Sequence, residues 1–169
     1  FNHAISILNL DLKKYSESDF FDNTHKLIPT EKLNEVRIKL IANIANNQEI
    51  RPSIYSLAKP LLDLLVGNEL AMQRSCNLSI QLPNDPSSLL PVHSDVWSGN
   101  SPFEVVFWLP LVNVYKTKSM FILPKKHSDE VYKNFEHYSK MSSEDFFNAI
   151  KKNLVWIDIP YGSGLIFSH

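Results

Sequence analysis

Hydrophobic and polar positions follow two rhythms along this chain, and the change falls near residue 70. Before it, apolar residues recur every three or four positions. Leu33, Val36, Leu40, Ile41 and Ile44 form one stripe within EKLNEVRIKLIANIANN, the spacing of a single helix face. Pro29-Thr30-Glu31 marks its start, with Thr30 as the N-cap, and Asn46-Asn47 marks its stop. A second helix is predicted from about Ser53 to Asn68, with Ile54, Leu57, Ala58, Leu61, Leu62 and Leu65 turned inward. Pro60 belongs in its early turns or kinks it, because proline has no N–H to give the helix. Gly67 ends it.

Beyond residue 70 the period becomes two. In MQRSCNLSIQL, Cys76, Leu78, Ile80 and Leu82 fall on one face and Ser75, Asn77, Ser79 and Gln81 on the other, as in a half-buried strand. PNDPSS is a turn-rich connector. LLPVHSD reads as a short strand, SPFEVVFWLPLVNV as a central strand apolar on both faces, and SMFILP as another buried strand. KKHSDEVYKNFEHY and SSEDFFNAIKKN read as two short helices, each with a serine able to cap it. LVWIDIP and GLIFSH are the last strands, joined by the turn Tyr161-Gly162-Ser163-Gly164.

Helices followed by six or so short strands predict a mainly β fold with N-terminal helices, a helical layer against a jelly roll. The expected organisation is one domain over 1–169. Residues 1–70 form the helical support, 71–169 the jelly-roll core, and about 126–152 a helical insertion.

Composition narrows the function classes. A length of 169 residues suits one domain with a sizeable core. The formal net charge of −1 implies no basic field for nucleic acid or anionic lipid. No apolar run approaches the ~20 residues of a membrane span, and FNHAISILNL lacks the marks of a signal peptide. The single cysteine, Cys76, excludes an internal disulfide framework and fits a reducing cytoplasm. It reads as a small buried hydrophobe.

Candidate chemistry lies in three side chains. His93 and Asp95 end one predicted strand, and in an extended segment residues i and i+2 project to one side. His169 shares parity with Leu165 and Phe167 on the last strand. Two imidazoles and a carboxylate on one face of an ion leave the opposite face open, which suits non-haem Fe(II). Taken singly, each residue has a plain structural reading as a hydrogen-bonded loop or core residue. His127-Ser128-Asp129 repeats the same three letters where a helix begins, and capping accounts for it.

Three segments in order carry a resemblance: LLPVHSDVWSG, FEVVFWLPLVNVYKTKSMFILPKKHS and YGSGLIFSH. Residues 72–169 resemble the Fe(II)- and 2-oxoglutarate-dependent oxygenases, most closely the phytanoyl-CoA dioxygenase-like branch. The resemblance implies a double-stranded β-helix of cupin-like type, with iron held by His93, Asp95 and His169. It implies 2-oxoglutarate as co-substrate and dioxygen as oxidant, with decarboxylation to succinate coupled to hydroxylation of a small molecule. KTKSM-type strands in such relatives point to surface-carbohydrate biosynthesis, hence a sugar-linked substrate.

The family usually anchors the distal carboxylate of 2-oxoglutarate with an Arg about ten residues past the distal His. The sequence given ends at His169, so either the natural chain continues to such an Arg or another cation, Lys116 or Lys118, substitutes, with Asn77 and Gln81 as further lining and Trp97 as a wall of the substrate site. The start at Phe1 and the end at His169 lead us to expect a longer natural chain. A jelly roll without its last strand would expose an edge, so a homodimer is expected. Two other readings stay open: a cupin-type metal enzyme without 2-oxoglutarate, and a non-catalytic jelly-roll binding module.

Overall fold

The computed structural model describes residues 1–85 and 89–168. The chain divides into two compact units, Phe1–Ser88 and Leu89–His169. About 50% of it is helical and 8% is strand. The expected mainly β jelly roll, or double-stranded β-helix, is therefore corrected: among the described residues the strands are four, all short, and they form two separate two-stranded sheets.

The first unit is helical. It comprises α1 (Asn2–Ile7), α2 (Glu17–Asp22), α3 (Thr24–Leu27), α4 (Thr30–Asn46) and α5 (Ile50–Leu65). Ala4, Ile5 and Phe20 form one buried cluster, and Phe1 and Phe21 meet the Phe20 ring edge-on. Ile28 and the α4 residues Leu33 and Val36 form a second. The α4 stripe is as the period predicts at Leu33, Val36 and Leu40, but Ile41 is exposed. Thr30 is the first helical residue and not the cap; Pro29 holds that place, without a side-chain hydrogen bond.

Helix α5 runs through Pro60, and Gly67 follows its end at φ +85°, a left-handed conformation that a side chain disfavours. Its inward face is narrower than the sequence suggests. Ile54, Ala58 and Leu62 turn in, whereas Leu57, Leu61 and Leu65 are exposed.

Segment 72–82 keeps its alternation but not its predicted strand. Cys76, Leu78, Ile80 and Leu82 are half-buried, while Ser75, Asn77, Ser79 and Gln81 are exposed. Ile80 and Leu82 pack against the Ile28, Leu33 and Val36 cluster. The apolar face is thus satisfied by helix contacts rather than by a neighbouring strand.

The second unit carries the sheets. Strand β1 (Val105–Trp108) pairs antiparallel with β4 (Leu165–Ser168), from Val105 opposite Ser168 to Trp108 opposite Leu165. Strand β2 (Phe121–Ile122) pairs with β3 (Val155–Trp156), and Val114 and Ile159 form an isolated bridge. Each apolar run is longer than the strand it contains. Pro110 follows β1 by two residues and Pro124 follows β2 by two, and proline cannot donate to a ladder. All four β1 residues are only half-buried, unlike a central strand of a closed barrel.

Between β2 and β3 lie α6 (Lys125–Lys133), α7 (Phe135–Tyr138) and α8 (Ser143–Ile150), where the sequence places helices. Val131, Phe146 and Ile150 form the core of this unit, with Val92, Leu123, Tyr138, Met141 and Leu154 packed around them. Ser142 caps α8, accepting from the Asp145 amide. Ser128 does not cap α6. It lies inside the helix and donates back to the Leu123 and Pro124 carbonyls. No helix among the described residues is long and apolar enough to cross a membrane.

Candidate metal site

The segment around His93 takes its shape from its alternation. Ser94 is extended at φ −125°, ψ 136°, so its neighbours project to the side opposite its own. Val92 faces the Val131, Phe146 and Ile150 core. The Ser94 hydroxyl lies 3.4 Å from the Tyr132 hydroxyl of α6. His93 and Asp95 occupy the other side, with His93 Nε2 3.4 Å from Asp95 Oδ1.

The tautomer of His93 follows from its second nitrogen. Nδ1 is 2.7 Å from the Pro91 carbonyl oxygen. A carbonyl only accepts, so Nδ1 carries the proton and donates it. In the neutral ring Nε2 then holds a lone pair directed toward the Asp95 carboxylate. A nitrogen and a carboxylate oxygen at this separation can share a metal ion between them.

The donor spacing fits a metal. Two bonds of ~2.1 Å meeting at an angle between 90° and tetrahedral place their donors ~3.0–3.4 Å apart. His93 and Asp95 are both accessible, with 49% and 37% of their side-chain surface exposed, so an ion can reach them. His169, the third expected ligand, lies outside the described residues. Among the described residues, no group of three or more His, Cys, Asp and Glu side chains comes together as a metal cluster.

A short 3-10 turn, Asp95–Ser98, follows the pair. Gly99 closes it at φ +95°, with its N–H donating to Val96 O. Within the turn Trp97 packs on the helical layer. Its ring centroid is 5.7 Å from Phe146 and 6.1 Å from Phe135, with 41% of the residue still exposed.

The other expected site residues fall in both units. Lys116 adopts φ +47°, rare for a side-chain-bearing residue. It borders an open pocket of about 390 Å³ with Thr117, Trp156 and Asp158; neither His93 nor Asp95 lines it. Lys118 places its ammonium 5.8 Å from the Tyr115 ring centroid. With no barrel interior, neither lysine points into one. Asn77 and Gln81 belong to the first unit and are exposed. His127 sits in the first turns of α6, 3.6 Å from Glu130 and apart from any metal-ligand group among the described residues.

No protein-family model, curated protein or solved structure matches the chain.

Sequence reasoning missed Pro91, Ser94 and Tyr132. The parity of Val92 and Ser94 carried a signal that this side faces protein. Nothing local indicated that the protein it faces is a tyrosine 38 positions away.

Proposed function

We propose that this protein is a non-haem Fe(II)- and 2-oxoglutarate-dependent oxygenase that hydroxylates a small molecule in the cytoplasm. The observation that carries the reading is the His93–Asp95 pair, with donor atoms 3.4 Å apart and the imidazole tautomer fixed by Pro91. The reading rests on this site and on the resemblance of residues 72–169, and needs no barrel, since chemistry belongs to sites and not to folds.

His93 would supply a neutral nitrogen donor and Asp95 an anionic oxygen donor, with His169 as the third protein ligand. Bound Fe(II) would supply dioxygen activation coupled to oxidative decarboxylation of 2-oxoglutarate. Pro91 keeps the His93 lone pair on Nε2, where the ion would bind. The Asp95 charge favours the cation electrostatically, and both residues leave one side open to co-substrate and oxidant. Trp97, two positions past Asp95 and 41% exposed, would wall the substrate site. Lys116 and Lys118 stay the candidate co-substrate anchors, although the open pocket that Lys116 borders with Trp156 is not lined by His93 or Asp95. A sugar-linked substrate and a homodimer are the narrower parts of the proposal.

Calorimetric titration with Fe(II) under anaerobic conditions, followed by succinate formation from 2-oxoglutarate in air, tests it. Expected are metal binding and turnover in the wild type, both lost in His93→Ala and Asp95→Ala, with binding weakened in His169→Ala. Absence of metal binding overturns the proposal. Binding without succinate formation overturns the 2-oxoglutarate part and favours a cupin-type metal enzyme.

A further inference from the structure

We propose that Tyr132 is a positioning residue for the His93–Asp95 pair, acting through Ser94; this rests on the cation-site reading above. The two donor atoms belong to residues on either side of Ser94, so their spacing depends on how that one residue is held. The His93 Nδ1 bond to Pro91 O spans only two positions. It fixes the ring within its own segment and travels with it. The Ser94–Tyr132 contact spans 38 positions and ties the segment to another element. Loss of this contact would let the Ser94 backbone dihedrals drift from φ −125°, ψ 136°, turning His93 and Asp95 relative to each other and away from a common focus.

Helix α6 is a firm base for such a tether. Val131, the neighbour of Tyr132, is 4% exposed and belongs to the core cluster with Phe146 and Ile150. Both hydroxyls can donate and accept, so the contact tolerates either direction. Tyr132 itself is 43% exposed, so its hydroxyl can be removed without opening a cavity. Partners of this outer kind commonly alter metal affinity ~10–100-fold when lost.

The test is a Co(II) titration of the full chain, read by visible absorption and calorimetry, in the wild type, Tyr132→Phe, Ser94→Ala and the double variant. Thermal midpoints are measured in parallel. Affinity is expected to fall ~10-fold in each single variant and no further in the double, with an altered Co(II) spectrum and unchanged midpoints. A Tyr132→Phe protein with wild-type affinity and spectrum overturns the positioning role alone. So does additivity in the double variant, or a loss that follows the thermal midpoint. A wild type that binds no Co(II) overturns the cation site together with this role.

Discussion

Trp97 stands edge-on to Phe146, with ring centroids 5.7 Å apart and planes at 61°. Phe146 is 6% exposed and packs with Val131 and Ile150. The turn that follows the candidate ligand pair is thus joined to the hydrophobic centre of its unit. Phe146→Ala removes a buried ring and leaves a cavity, which costs about 3–5 kcal/mol. Denaturant unfolding should show this. Trp97 emission, isolated by Trp108→Phe and Trp156→Phe, should shift toward that of a solvated indole. An unchanged midpoint would mean that the cluster is not a support for the turn.

Gly164 lies against the Phe107 ring at the end of the β1–β4 ladder. A methyl group there would overlap Phe107 Cε2, stand 2.9 Å from Cζ, and approach the Trp108 carbonyl oxygen to 3.4 Å. The ring must turn aside, and the backbone oxygen leaves little room to shift. Gly164→Ala should destabilise by about 1–3 kcal/mol, the range of overpacking. Gly162→Ala is a useful contrast: its φ of +86° strains a side chain, although no atom stands in the way. A Gly164→Ala protein as stable as wild type, with amide exchange of β4 unaltered, would remove the steric argument.

Ser142 holds the start of α8 twice over. Its Oγ accepts from the Asp145 amide at 3.1 Å and donates to Asp145 Oδ2 at 2.7 Å. Ser142→Ala should cost ~1 kcal/mol, whereas Ser128→Ala, inside α6, should not behave as a cap loss. Urea midpoints of the two variants separate these cases. Equal effects would count against the assignment of Ser142 as the cap.

Glu35 and Lys39 pair one turn apart on α4, at 2.6 Å. The hydrogen bond from Lys39, and then its charge, hold the Glu35 carboxyl below its ordinary value. A carboxyl with a lowered folded pKa stabilises above its unfolded value and loses that contribution as pH falls through the folded one. The pair is fully exposed, so the effect is small and screened by salt. The thermal midpoint of Glu35→Gln should lie slightly below wild type at neutral pH and low salt, and meet it in acid. A difference that persists in acid would point to packing and not charge.

Legibility differed between the units for a definite reason. The α4 stripe was readable because Leu33, Val36 and Leu40 are neighbours along one helix, and every backbone hydrogen bond of a helix is local. The alternation of residues 76–82 was equally readable, and its half-buried face is the one expected. What it packs against was not. Ile80 and Leu82 rest beside Leu33 and Val36 of α4, so a period of two described burial correctly and pairing wrongly. The runs through Val105–Trp108 and Phe121–Ile122 were readable as apolar, but a strand exists only as far as its neighbour accompanies it. Hence the jelly roll expected from six runs gives way to two small ladders.

The site divides in the same way. The geometry of His93 and Asp95 follows from alternation across Ser94, which the two intervening planar peptide units enforce. Lys116, Lys118, Asn77 and Gln81 were grouped with them only through the expected barrel; the pocket that Lys116 borders is lined by neither His93 nor Asp95, and Asn77 and Gln81 fall in the other unit. Tyr132 had no sequence signal linking it to Ser94.

Local rules alone determined the helices α4, α6 and α8, the Ser142 cap, the inward parity of segment 76–82 and the shared side of His93 and Asp95. Each is a relation among residues a few positions apart, governed by backbone geometry. Tertiary structure decided which apolar runs became strands, how long they are, and that α6 reaches Ser94 with a tyrosine hydroxyl. Those are relations between segments distant along the chain. Their outcome depends on which surfaces meet once the chain is closed, and composition and period do not carry that information.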